Sequence, residues 1–269
     1  MAAALTPPPS DDAPLLGRRA VLEALRAGQP VSRVLIARGA AVRGPLQEVV
    51  REAQARRVIV QTVDRRRLDA LARGVAHQGV AALVAAVAPV AVDDLLRRAR
   101  ERGEAPFLVV LDGIEDPQNL GAVIRTADAA GAHGVIIPRR RAAGLSPAVA
   151  RAAAGATAHL PVAQAGNLVD ALEHLKAEGV WVIGADPAAR ERYDAVSLEP
   201  PIALVVGSEG RGLHRLVRER CDRVVSIPLW GRVGSLNVSV SAALLLYEVA
   251  RRVHAPDRYR ARAARIDLT

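Results

Sequence analysis

The sequence predicts an α/β fold in two parts: a small α/β domain, then a larger one built on a largely parallel sheet. Three observations carry this. Short apolar segments of strand length alternate with amphipathic helical segments along most of the chain. One charged, proline-bounded stretch at residues 89–105 interrupts the alternation. Finally, 51% of the 269 residues are hydrophobic, enough to cover both faces of a sheet.

Residues 1–14 (MAAALTPPPSDDAP) read as a disordered tail, with neither the basic nor the apolar region of a secretory signal. Residues 15–88 form the small domain, about seventy residues and a usual domain size. There GRRAVLEALRAG is an amphipathic helix closed by Gly28 and Pro30. SRVLIA is a strand, and GPLQEVVREAQARR is a helix with Pro45 near its first turn. VIVQTV, RRRLDALA and GVAALVA continue as strand, helix and strand. Residues 89–105 read as a linker with room for a short helix. Residues 106–254 form the second domain. FLVVLD, GVIIP, HLPVA, VWVIGAD, IALVVG and RVVSIPL are its strands. NLGAVIRTADAAGA, NLVDALEHLKAEG and GLHRLVRERC are helices, and a last helix follows Asn237. Residues 255–269 are a basic tail. Parallel sheets of this kind bind ligands at the carboxyl ends of their strands.

Composition narrows the function. The net charge of +9 favours a polyanionic partner, nucleic acid first, although the excess is almost all arginine and also fits a general Arg, Ala and Gly bias. Only one Phe, two Trp and three Tyr are present, which argues against an aromatic base-stacking sheet. The single cysteine, Cys221, excludes a disulfide framework and a cysteine zinc cluster. No apolar run reaches the roughly 18 residues of a membrane span. A cytoplasmic protein is the natural expectation.

Several familiar sites are missing. Gly207-Ser208-Glu209-Gly210-Arg211-Gly212 follows a strand, but its glycines are spaced GxxGxG rather than GxGxxG. Glu209 would also oppose a pyrophosphate. There is no P-loop, no HExxH and no GxSxG, and the six histidines are scattered, so no metal is expected.

Three stretches carry a positive signal. In LDGIEDPQNLGAVIRTADAAGAHGVII (111–137), a strand ends at Asp112 and a polar loop with Pro117 leads to Asn119, a good N-cap. Arg125 follows six residues on. Taken locally, this is also what a capped helix with one solvated arginine looks like. The others are IALVVGSEGRGL (202–213) and VVSIPLWGRVGSLNVSVSAALLLYEVARR (224–252), where Ser235, Asn237, Ser239 and Ser241 crowd the start of an apolar helix.

Together these three resemble the motifs of the SpoU (TrmH-type) RNA ribose 2′-O-methyltransferases of the SPOUT superfamily, in order and spacing, across roughly residues 107–252. VAHQGVAALV (75–84) is similar to the end of the small substrate-binding domain of the RlmB branch, which modifies a guanosine of 23S ribosomal RNA. The resemblance implies a trefoil-knotted α/β methyltransferase domain preceded by a small RNA-binding α/β domain. It also implies S-adenosylmethionine as cofactor, a homodimer, and ribosomal RNA as partner. By motif position, Gly207, Ile227 and Leu236 would contact the cofactor, with Gly184 and Ala185 nearby. Asn119, Arg125, Glu209, Ser235 and Asn237 would form the catalytic group. Transfer RNA, another ribosomal nucleotide, or a non-catalytic assembly role remain alternatives.

The groups suggest roles. A guanidinium is a poor base, so Arg125 is expected to clamp a phosphate or ribose oxygen. Glu209 would accept the hydroxyl proton or orient Arg125 or Asn119. Asn119 and Ser235 would position the ribose or a phosphate, and Asn237 would also cap the last helix. Arg65, Arg66, Arg67 and Arg139, Arg140, Arg141 are candidates for RNA backbone contact, or solvated charged faces. Trp230 occupies a position where the family pattern leads one to expect a smaller residue.

Overall fold

The computed structural model describes residues 13–26, 28–29, 31–72, 74–84, 88–140 and 142–253. The chain divides into two compact units: Met1–Ala88 with Leu145–Ala158, and Pro89–Gly144 with His159–Thr269. The basic tail expected at 255–269 lies outside the described residues, as do Arg141 and residues 1–12.

The first unit runs β1 (Ala13–Leu16), α1 (Arg18–Arg26), β2 (Val31–Ala37), α2 (Pro45–Ala55), β3 (Ile59–Val63), α3 (Arg65–Ala72) and β4 (Val80–Val84). Its sheet has the order β1-β4-β2-β3. β2 and β3 are parallel, and β4 is antiparallel to both β1 and β2. Residues Ala13 and Pro14, read above as tail, instead open β1 and pair with Val84 and Leu83. The signal was weak because a four-residue strand containing Pro shows no period. The apolar stripes of α1 (Val21, Leu25) and α2 (Leu46, Val49) close over Val34, Ile36 and Ala82.

The second unit begins with α4 (Val92–Glu101), inside the stretch expected to be a linker. The short helix allowed for there is present, but it belongs to the second unit rather than to a linker. Leu95 and Leu96 are buried in the core, and Asp94 Oδ2 accepts the Ala91 amide at 3.0 Å, closing the helix start. The charges of α4 are its solvent face; its apolar stripe packs so tightly that a Cβ at Gly134 would lie 2.5 Å from Leu95. β5 (Phe107–Asp112), α5 (Pro117–Ala129) and β6 (Gly134–Pro138) follow. The short α6 (Pro147–Ala152) belongs to the first unit, where Ala150 joins its core. Then come β7 (Val162–Ala165), α7 (Leu168–Ala177), β8 (Trp181–Ala185), β9 (Glu191–Arg192), β10 (Ile202–Gly207), α8 (Arg215–Arg220), β11 (Arg223–Ser226) and α9 (Val238–Val253).

The seven strands have the order β7-β6-β5-β10-β8-β11-β9, and each paired neighbour is parallel. Every residue of β5 and β10 is buried, the pattern of a strand covered on both faces. Leu172 and Leu175 of α7 and Val217 of α8 pack on the face that carries Leu108, Val110 and Val205. α9 packs against α5 and against β10. Because the strands are parallel, Asp112, Pro138, Ala185, Gly207 and Ser226 all end at one edge of the sheet. Among the described residues no helix is long and apolar enough to cross a membrane.

Candidate active site

A cavity of about 390 Å³ opens at that edge, beyond β8, β10 and β11. Its walls are the turn Ala185–Ala188, the glycine-rich loop from Val206 to Gly212, Ile227 and Leu229, the segment Gly234–Leu236, and Val238 and Ser241 of α9. The loop explains the GxxGxG spacing. The chain doubles back after β10, with the Gly212 amide donating to Ser208 O at 2.9 Å. A Cβ on Gly207 would lie 2.2 Å from the carbonyl carbon and oxygen of Gly212, so no side chain fits. Gly210 (φ 82°) and Gly212 (φ 65°) take the left-handed backbone that glycine adopts without strain.

The far end of this loop is pinned by a pair that sequence reasoning missed. Asp112, 4% exposed at the end of β5, accepts the His214 amide at 2.7 Å and bonds His214 Nδ1 at 2.9 Å. The partners are 102 residues apart, and nothing in local pattern joins them. Asp112 therefore fixes the start of α8 and, through it, the loop from 208 to 213.

Three of the expected catalytic residues meet at the cavity's margin. Asn237 Nδ2 donates to Asn119 Oδ1 at 3.0 Å and to Glu209 Oε2 at 3.4 Å. Asn237 Oδ1 accepts the Ser239 amide at 2.9 Å and the Ser239 hydroxyl at 2.6 Å, so Asn237 also caps α9. Ser235 lines the cavity and is exposed. Asn119, in contrast, is not an N-cap. Asp116 takes that position, accepting the Gln118 and Asn119 amides at 3.2 and 3.1 Å, and Pro117 is the first helical residue. An aspartate before a proline is the stronger cap because proline's fixed φ and missing N–H suit the first helical position. Freed from capping, the Asn119 side chain reaches across to α9.

Arg125 stands apart. Six residues at 3.6 per turn carry it about 120° around α5 from Asn119. It is exposed and makes no hydrogen bond or ion pair among the described residues. Of the expected cofactor residues, Ala185, Gly207, Ile227 and Leu236 line the cavity. Gly184 does not; it faces α8, where an added Cβ would lie 2.8 Å from both Cys221 Sγ and Leu213 Cδ1. Arg139 and Arg140 are exposed just past β6, on the same sheet edge, and Arg65, Arg66 and Arg67 are exposed on α3 of the first unit.

The lining tests the implied cofactor. Val206, Ile227, Leu229, Leu236 and Val238 suit a heteroaromatic base and a methylene chain. The carboxylate of Glu209 suits the sulfonium and ammonium charge of such a ligand and Arg211 on the same wall suits its carboxylate, while Asp186 is already paired with Arg218 at 2.8 Å. S-adenosylmethionine fits this set.

Comparison with known proteins agrees. The SpoU rRNA Methylase family matches residues 106–247, and the RNA 2′-O ribose methyltransferase substrate-binding family matches residues 14–90. The chain is 46% identical over 238 residues to YacO of Bacillus subtilis, named as a TrmH family tRNA/rRNA methyltransferase, covering 88% of this chain and 95% of that one. A Staphylococcus aureus protein named for the same family is 42% identical over 91% of this chain and 98% of its own. Among solved structures, the SpoU methyltransferase AviRb of Streptomyces viridochromogenes in complex with AdoMet superposes with a TM-score of 0.68. It is 28% identical, covering 89% of this chain and 90% of that one. An AdoMet-bound rRNA methyltransferase of Sinorhizobium meliloti gives 0.66 at 27% identity, over 91% and 88%.

Fold, cavity and matches define the class: an S-adenosylmethionine-dependent RNA 2′-O-ribose methyltransferase with an N-terminal substrate-binding domain. More particularly, the chain belongs to the SpoU rRNA methylase family, in its TrmH-type division.

Proposed function

We propose that this enzyme methylates the ribose 2′-hydroxyl of a guanosine in 23S ribosomal RNA, as a cytoplasmic homodimer. The observation that carries the chemistry is the Asn119–Asn237–Glu209 cluster beside Ser235 at the mouth of the cavity. The bound cofactor supplies an electrophilic methyl group. The ribose oxygen forms a bond to that methyl carbon as the carbon–sulfur bond breaks, and the hydroxyl proton must leave. Glu209 engages Asn237 through Oε2, and Oε1, with no hydrogen bond among the described residues, takes that proton. Asn119 and Ser235 hold the ribose, and Asn237 keeps α5, the glycine-rich loop and α9 in register. Arg125, always cationic and without a partner among the described residues, clamps a phosphate or the ribose oxygen as negative charge develops.

Ribosomal RNA is favoured by the separate substrate-binding domain, its VAHQGV segment and the net charge of +9. Arg139 and Arg140 would meet the RNA backbone on the cavity's own edge. The homodimer is favoured by an apolar stripe on α9: Val240, Leu244 and Tyr247 are 47, 38 and 54% exposed at helical spacing. The reading includes the family's trefoil knot, with α9 threaded beneath the glycine-rich loop.

The test is methyl transfer from labelled S-adenosylmethionine to unmodified ribosomal RNA and, separately, transfer RNA, followed by mass spectrometry of the nucleosides. Label on 2′-O-methylguanosine from ribosomal RNA is expected. Label only on transfer RNA, or on another nucleoside, would redirect the substrate. No transfer to any RNA by a protein that binds the cofactor would sink the reading in favour of an assembly role.

A further inference from the structure

The first unit holds a cavity of its own, about 590 Å³, where the carboxyl end of β2 meets the loop before β4. Arg18, Arg38 and Arg65 line it, together with Gln78 and Gly79, and no described carboxylate does. None of the three arginines is ion-paired with a described carboxylate, whereas Arg26, Arg56 and Arg218 each hold one at 2.9 Å or less. Asp64, next to Arg65 in the chain, is occupied as a cap, accepting the Arg66 amide at 2.9 Å.

The cavity is built rather than incidental. Gln78 lies in the left-handed region at φ 51°, a conformation uncommon for a residue with a side chain and concentrated at functional sites. From there its Oε1 accepts the Arg18 amide at 3.2 Å and its carbonyl accepts Arg18 Nε at 3.1 Å. The first bond holds the Arg18 backbone and the second orients its guanidinium, leaving the terminal nitrogens for a ligand. His77, 6% exposed, holds the loop in place: Nδ1 accepts the Gly79 amide at 3.0 Å, and Nε2 donates to Asp69 at 2.9 Å. The His-Gln-Gly segment is thus the scaffold of this cavity.

Three guanidiniums around one concavity, without an ion pair among the described residues, are a receptor for phosphate, whose oxygens match the guanidinium fork. The volume is that of a small-molecule site, of the order of 300–1,000 Å³, and too large for a bare anion. We propose that this cavity is an RNA-backbone subsite that seats one phosphate-bearing nucleotide of a bulged or bent strand, a nucleotide other than the one methylated. This rests on the RNA-methylation reading above. Double-stranded RNA offers side chains mainly shape and backbone, whereas a bulge splays single nucleotides into reach.

The experiment uses the full chain without cofactor. Binding of a fluorescent RNA hairpin with an internal bulge, and of a fully paired hairpin of equal length, is followed by anisotropy over a salt series. The variants are Arg38→Ala/Arg65→Ala, and Arg43→Ala/Arg51→Ala as a control that removes equal charge from the same unit. All four side chains are exposed, so the fold should survive, and circular dichroism checks it. The expected result is affinity for the bulged hairpin about tenfold weaker in the first variant, with a salt slope about two counterions shallower. The control should stay within about twofold on the same salt-slope reasoning, and cofactor affinity should be unchanged in both. Equal weakening in the two variants would overturn the subsite. So would equal loss for bulged and paired hairpins, or displacement of the RNA by inorganic phosphate at comparable concentration. If the Arg38/Arg65 variant still methylates RNA with the wild-type KM, the subsite falls and the methyltransferase reading stands. If the wild-type chain binds no RNA at all, both fall.

Discussion

Asn237 donates a hydrogen bond to Asn119 across 118 residues of chain, joining the first turn of α5 to the start of α9 at 3.0 Å. The same amide group reaches Glu209, so one side chain ties together α5, the glycine-rich loop and α9. Its carbonyl oxygen caps α9. Two functions in one residue can be separated by substitution.

Asn237→Ser keeps an oxygen that can cap α9 and removes the amide donor. Stability should stay within about 0.5 kcal/mol of wild type, while kcat falls about 10–100-fold. Asn237→Ala should in addition lose about 1 kcal/mol of stability with the cap. Urea unfolding beside single-turnover methylation distinguishes these. A Ser variant turning over at the normal rate would remove the amide bridge from the mechanism.

Arg125→Ala removes an exposed side chain with no hydrogen bond or ion pair among the described residues, so the melting temperature should not change. Turnover should drop by about 10²-fold if the guanidinium stabilises charge in the transition state. Steady-state kinetics with a melt as control checks both halves, and unimpaired kcat/KM would exclude the clamp.

Gly207→Ala forces a Cβ to 2.2 Å from the Gly212 backbone, which cannot rotate away as a side chain tip would. We expect a loss of about 1–3 kcal/mol and at least tenfold weaker cofactor binding, read by calorimetry. Gly144→Ala, with open space around it, should be close to neutral in both.

His133 is buried behind β5, with Nδ1 accepting the Phe107 amide at 3.1 Å and Nε2 bonded to Glu104 at 3.0 Å. Burial holds its pKa below the usual imidazole value, although the Glu104 hydrogen bond opposes the shift. The unfolded chain therefore takes up a proton first. Its contribution to stability is full above about pH 6.5 and is lost as pH falls from there through the lower folded pKa. His133→Gln should flatten that part of the profile in urea titrations between neutral and mildly acidic pH; an unchanged slope would count against it.

Cys221 is not a reactive thiol. Burial, with Asp222 beside it, pushes its pKa up to about 12, and Sγ contacts Val217 O at 3.4 Å. Iodoacetamide at pH 8 should label the native protein far more slowly than the urea-unfolded chain. Comparable rates by mass spectrometry would show that α8 opens readily.

Much of this architecture is legible in one dimension. Long apolar strands such as FLVVLD and IALVVG announce a sheet covered on both faces, because hydrophobic patterning is local. α4 was not legible as core, since its charged residues outnumber its apolar ones and only the spacing of Leu95, Leu96 and Ala99 marks the buried face. β1 was hidden by its length and its proline. Asp116 rather than Asn119 as the cap of α5 follows from proline geometry.

The sequence by itself determined most of the elements and the family, because periodicity, glycine spacing and motif order are properties of neighbouring residues. Only the tertiary structure decided which of those residues meet. Asp112 with His214, Asn119 with Asn237, and Arg18 with Gln78 are pairs separated by 60 to 118 residues. A hydrogen bond depends on distance and direction in space, and those are set only when the strands pair and the helices pack around them.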